Sequence, residues 1–141
     1  MSSFNKIQDY VEQLNKAVHN WSSHTFKALL TNSAPVATNT VAADLTDIAA
    51  GNGYSAGGMT LDTVTLSEAS GTAKTTIADE VLTASGGTIG PFRYVAIYND
   101  TAASPADALV CWYDYGSSIT LQDGDTFTLD FDPTNGLWQM V

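Results

Sequence analysis

Phe92-Arg93-Tyr94-Val95-Ala96-Ile97-Tyr98 and Leu109-Val110-Cys111-Trp112-Tyr113-Asp114-Tyr115 decide the fold, and the ten residues Asn99–Ala108 separate them. Both runs are dense in aromatic and β-branched residues, which suit a pleated and well-covered surface, so they predict two strands of one hairpin with a long tip. Phe92, Tyr94, Ala96 and Tyr98 fall on one face of the first strand, and Arg93, Val95 and Ile97 on the other. Two largely apolar faces predict central strands covered on both sides.

Working outward, seven or eight short runs read as strands. Thr25–Thr31 puts Phe26, Ala28 and Leu30 on one face; Met59–Leu66, Thr72–Ala78 and Val81–Thr83 follow. Beyond the hairpin, Ser118–Leu121 and Thr126–Phe131 flank Gln122-Asp123-Gly124-Asp125, and an Asp-Gly pair there predicts a second hairpin. Phe127, Leu129 and Phe131 alternate with Thr126, Thr128 and Asp130, a clear period of two. Leu137–Val141 closes the chain with Trp138 and Met140 on one face. The expected fold is mainly β, a jelly-roll or Greek-key β-sandwich with an N-terminal amphipathic α-helix. Residues 1–21 form that helix as part of the same unit, and 22–141 form a single β-sandwich domain.

The helix is read from Phe4, Ile7, Val11, Leu14, Val18 and Trp21, at alternating steps of three and four. About two and a half heptads is short for a coiled coil, so the stripe packs on its own β-domain, on a neighbouring subunit or in a self-associating bundle. These six residues are the candidate partner contacts. A second helix, capped by Asn39 or Thr40, is expected from Val41, Leu45 and Ile48 and ends at Gly51. Gly51–Gly58 holds four glycines and reads as an ordered loop.

Composition narrows the function. The chain has 141 residues, 44% of them hydrophobic, and a net charge of −10. Residues 1–27 carry three lysines against two acids, while the remainder carries two bases against thirteen acids. A body that acidic repels phosphate, so no direct nucleic-acid contact is expected. No apolar run approaches the roughly 20 residues of a membrane-spanning helix, and the N-terminus shows no secretory signal pattern, so synthesis and folding in the cytoplasm are expected. Cys111 is the only cysteine and reads as a small buried hydrophobe.

Candidate chemistry is sparse, and calcium at the acidic turns Asp123–Asp132 stays an open alternative. Gly53-Tyr54-Ser55-Ala56-Gly57 matches the serine-hydrolase pattern, but that motif needs a strand before it, a helix after it and a histidine downstream. Here His19 and His24 lie upstream. Asp130-x-Asp132-x-x-Asn135-Gly136 is misspaced for an EF-hand and lacks its terminal glutamate, and two turns account for the acids. Trp112, Tyr113, Tyr115 and Trp138 could line a sugar platform, though aromatics in alternating strands more often build core. No catalytic residue, cofactor or metal site is expected, and the chain reads as a non-enzyme.

Three stretches together, Gly53-Tyr54-Ser55-Ala56-Gly57-Gly58, Arg93–Thr101 and Tyr113-Asp114-Tyr115-Gly116-Ser117, resemble small structural proteins encoded among the head and tail genes of tailed bacteriophages. Chains of that family also open with a helix and a strand like Phe26-Lys27-Ala28-Leu29. The resemblance covers most of the chain, and its motifs are structural. It implies a virion component, best a capsid decoration or cement protein that binds and stabilises the outer head shell. The implied partners are the major capsid protein and copies of this chain, as a trimer or dimer. The implied location is the capsid surface of a virion made in bacterial cytoplasm. The alternative is a receptor- or carbohydrate-binding module of a tail fibre or tail tip.

Overall fold

The computed structural model describes residues 3–140. Its elements in chain order are β1 (Asn5–Lys6), α1 (Gln8–Asn15), β2 (Phe26–Thr31), β3 (Met59–Thr60), β4 (Thr65–Ala69), β5 (Thr72–Thr76), β6 (Glu80–Thr83), β7 (Ile89–Asn99), β8 (Leu109–Leu121), β9 (Thr126–Leu129) and β10 (Trp138–Met140). They make a mainly β chain with antiparallel sheets ordered β1-β8-β7-β2-β3, β10-β5-β4 and β6-β9.

The hairpin read first is the centre of the largest sheet. Ile97 pairs with Cys111 and Val95 with Tyr113, while the other edge of β7 pairs with β2 from Phe26↔Asn99 to Thr31↔Tyr94. Val95, Ala96, Ile97 and Tyr98 are all buried, as are Leu109, Val110 and Cys111, so both faces are covered as expected. The second half of β8 leaves that rule. Between Tyr94↔Asp114 and Phe92↔Ile119 it carries extra residues that bulge outward, with Gly116 at φ 103° and Tyr115 to Ser118 exposed. Ser118–Leu121 is therefore the end of β8 and not a separate strand.

The Asp-Gly turn forms, but it does not make a hairpin. Asp125 N donates to Gln122 O at 2.9 Å, yet Leu121 stays paired with Ile89 while β9 pairs with β6. Ala84 receives the turn: its O accepts from Gly124 N at 2.8 Å and its N donates to Asp125 O at 2.9 Å. In this other sheet Phe127 meets Phe92 edge to face, with centroids 5.0 Å apart. Met59–Leu66 likewise divides. Met59 and Thr60 pair with β2, Thr63 takes φ 49°, and β4 joins β5 in a different sheet.

Neither expected helix has its expected length. The helix within residues 4–21 is α1 alone, eight residues long. Ahead of it Asn5 and Lys6 pair with Trp112 and Cys111, and Ile7 N donates to Val110 O at 3.1 Å, so this stretch is extended. The helix ends in a Schellman motif: Val18 N reaches Gln13 O at 3.0 Å and Ala17 N reaches Leu14 O at 3.1 Å, with Ala17 at φ 62°. Its buried residues are Tyr10 and Gln13. The second expected helix is one 3₁₀ turn, Ala42–Asp44. The Asp44 carboxylate accepts from Thr40 N at 2.8 Å and Val41 N at 3.2 Å, after which Leu45 is extended. Side-chain bonds to local backbone offer the chain an alternative to helix, and here they prevail.

The glycine loop is ordered, as expected. Tyr54 is buried and its hydroxyl accepts from Leu30 N at 3.1 Å, Asp47 accepts from Gly57 N at 2.8 Å, and Tyr98 OH donates to Gly57 O. One contiguous core runs from Ile7 and Trp21 through the central sheet to Leu129, Phe131 and Leu137.

Candidate functional site

The six stripe residues do not share a surface. Ile7 and Trp21 are 1% and 2% exposed, Leu14 packs partly buried against the core, and Val18 is half-buried. Only Phe4 and Val11, at 37% and 44%, face outward to a substantial degree. Trp21 lies flat on Phe26, with centroids 3.7 Å apart and planes 2° from parallel, and its Nε1 donates to Tyr10 OH at 2.8 Å. The segment is thus a wall of the chain's own core.

What the surface does present is an aromatic cleft of about 610 Å³ between β8 and the segment that follows the Asp-Gly turn. Phe4, Tyr113, Tyr115 and Phe127 line it, with Asp130 and Asp132 among its polar residues. Phe4 meets Tyr113 edge-on at 6.1 Å, and Tyr115 meets Phe127 at 5.6 Å. Strand alternation shapes one wall, turning Leu129 into the core and Thr128 and Asp130 out. The β8 bulge supplies Tyr115, which is 51% exposed. Of the four aromatics expected as a platform, Tyr113 and Tyr115 line this cleft, whereas Trp112 and Trp138 pack against the core. Phe4 and Phe127 complete it, and no local pattern relates residues so far apart in sequence.

Asp132 is held as an anion. Its Oδ1 accepts from Thr134 N at 2.8 Å and Asn135 N at 3.0 Å, and its Oδ2 from the Asn135 amide, which together hold its pKa below the usual carboxylate value. Those bonds close the turn. Among the described residues no three His, Cys, Asp or Glu side chains gather as a metal site would require. Ser55 is exposed, whereas His19 and His24 are bonded elsewhere, to Asn99. Burial pushes the Cys111 thiol up in pKa, away from the reactive thiolate.

The histidines form an unexpected cluster. Asn99 is buried, and its Oδ1 accepts from Thr101 N at 3.0 Å and Ala102 N at 3.2 Å, which fixes the amide orientation. Its Nδ2 then donates towards His24 Nδ1 at 3.0 Å, His19 Nδ1 at 3.2 Å and Val18 O at 3.3 Å. The amide has two N–H groups for these three acceptors, so the bonds are shared, and a His19 Nδ1 that accepts one belongs to a neutral imidazole. Burial, with a smaller contribution from His24, lowers the His19 pKa from 6.5 to about 4, while Asp9 acts the other way. Below pH 6.5 the unfolded chain takes up the proton and the folded chain does not, so the His19 contribution to stability should fall between pH 6.5 and 4 and level off below. The expected loss from pH 7 to pH 5 is on the order of 1–2 kcal/mol. Raised carboxyl pKa values at Glu80 and Asp107 work in the opposite sense, so the measurement is the difference in pH slope between wild type and His19→Phe in urea unfolding. Equal slopes would refute it.

Comparison with protein-family models, curated proteins and solved structures returned no match. Among the described residues no helix is long and apolar enough to cross a membrane.

Proposed function

We propose that this chain is a bacteriophage virion structural protein, a decoration or cement subunit that binds the outer head shell and acts by contact and not by catalysis. Its sheets would form a β-sandwich of jelly-roll or Greek-key type, and its working state would be a trimer or dimer on the major capsid protein. The supporting observation is where the three family-like stretches lie. Gly53–Gly58 is the loop pinned by Tyr54 and Tyr98, Arg93–Thr101 runs through the middle of β7 to Asn99, and Tyr113–Ser117 is the bulging part of β8. All three are architecture, which favours a structural role over a reaction. A second reading, a tail-fibre or tail-tip receptor- or carbohydrate-binding module, draws on the open aromatic cleft beside exposed Tyr115.

A subunit that binds only the assembled shell stabilises it by mass action. Heads stripped of this protein should therefore rupture at a lower temperature than decorated heads, and adding the purified protein back should restore the midpoint. Finding the protein only in tails, or no change in rupture on its removal, would overturn the cement role.

A further inference from the structure

We propose that the aromatic cleft is a docking site for an arginine or lysine side chain carried by a partner protein. Its volume, about 610 Å³, is in the range of small-ligand sites, and the ring pairs Phe4–Tyr113 and Tyr115–Phe127 give it aromatic walls. Aromatic faces attract cations through the ring quadrupole, and the stem of a long basic side chain covers apolar wall while its head reaches the rim. Asp130 and Asp132 line the cleft, and among the described residues no lysine or arginine does. The chain's only arginine, Arg93, is committed elsewhere, in a bidentate pair with Asp114 at 2.8 and 3.0 Å. The net charge of −10 steers a cation inward and turns an anion away. A neutral oligosaccharide gains nothing from the net negative charge, which draws in a cation alone.

This inference stands apart from the virion reading, since the cleft would take a basic side chain from any partner. The test is a two-dimensional NMR titration of the full chain at near-physiological salt. The probes are a short capped peptide alternating arginine with glycine, the same peptide with citrulline for arginine, and maltotetraose. Saturable shifts should centre on Phe4, Tyr115 and Phe127, and citrulline should weaken binding roughly tenfold. Asp130→Asn and Tyr115→Ala alter exposed side chains, so each should weaken binding about fivefold or more with the rest of the spectrum unchanged. Equal binding of the citrulline peptide, shifts spread over the whole acidic surface, or saturation by maltotetraose without the arginine peptide would each overturn the proposal. Failure of stripped heads to bind the protein would leave it standing, and failure of the peptide would leave the cement role standing.

Discussion

Removal of residues 1–21 should leave a chain that no longer folds cooperatively. A separable amphipathic helix would predict the opposite, a β-domain stable without it, but the segment is built into the core at three points. Ile7, Tyr10 and Trp21 are each less than 5% exposed. Burial of such side chains is worth roughly 1.5–3 kcal/mol apiece, so their loss alone removes about 5–9 kcal/mol. A domain of this size has only about 5–15 kcal/mol in total. Truncation also strips the partner from Cys111 and Trp112 on β8 and uncovers the face of Phe26 on which Trp21 lies. Circular dichroism with urea titration of the truncated chain decides the matter. A sigmoidal transition with a midpoint near wild type would show that the segment is dispensable. In the full chain, Trp21→Ala should cost about 3–5 kcal/mol, the usual figure for emptying a large aromatic site.

The contrast between the N-terminus and the central hairpin explains how much of this fold the sequence reveals. β7 and β8 are legible because covered strands need a dense, two-sided apolar pattern, and few other structures use one. The step of three and four from Phe4 to Trp21 is ambiguous, because it also arises when an extended pair, a short helix and a turn each bury one residue. Tyr10, which the stripe omits, is buried, whereas Val11, which it includes, is exposed. The stop at Ala17 is invisible for a related reason: a left-handed position usually announces itself as glycine or asparagine, and here alanine occupies it. At Asp123-Gly124 the turn chemistry reads correctly while the pairing does not. Turn residues specify a local reversal; the observed pairing of β9 with β6 comes with contacts to Phe92 and Ala84, each more than 30 positions away from Phe127 or Gly124. Long range also hides the Asn99 cluster and the cleft. His19 and Asn99 are 80 residues apart, and the cleft draws Phe4 to Tyr113 across the whole chain.

Gly58→Val should abolish folding at ordinary temperature, whereas Gly71→Val should be far milder. Gly58 sits at φ 97°, a region that a β-branched residue strongly resists, and the loop passes directly over β2 there. A Cβ at this position would lie 2.0 Å from Ala28 O and 2.9 Å from Leu29 Cα, both backbone atoms in a strand that pairs with β3 and β7. Neither atom can move aside without breaking that pairing. Backbone strain and overpacking each cost on the order of 1–3 kcal/mol, and the two add here because relief of either requires the loop to lift off β2. Lifting would also break the Asp47 and Tyr98 bonds to Gly57. Gly71 shares the positive φ, at 85°, but its Cβ would meet nothing within 4 Å in the turn between β4 and β5. Its substitution isolates the backbone penalty, about 1–2 kcal/mol. Parallel urea melts of the two variants give the comparison. Equal destabilisation would mean that the contact with Ala28 contributes nothing and that the loop rides free of the central sheet.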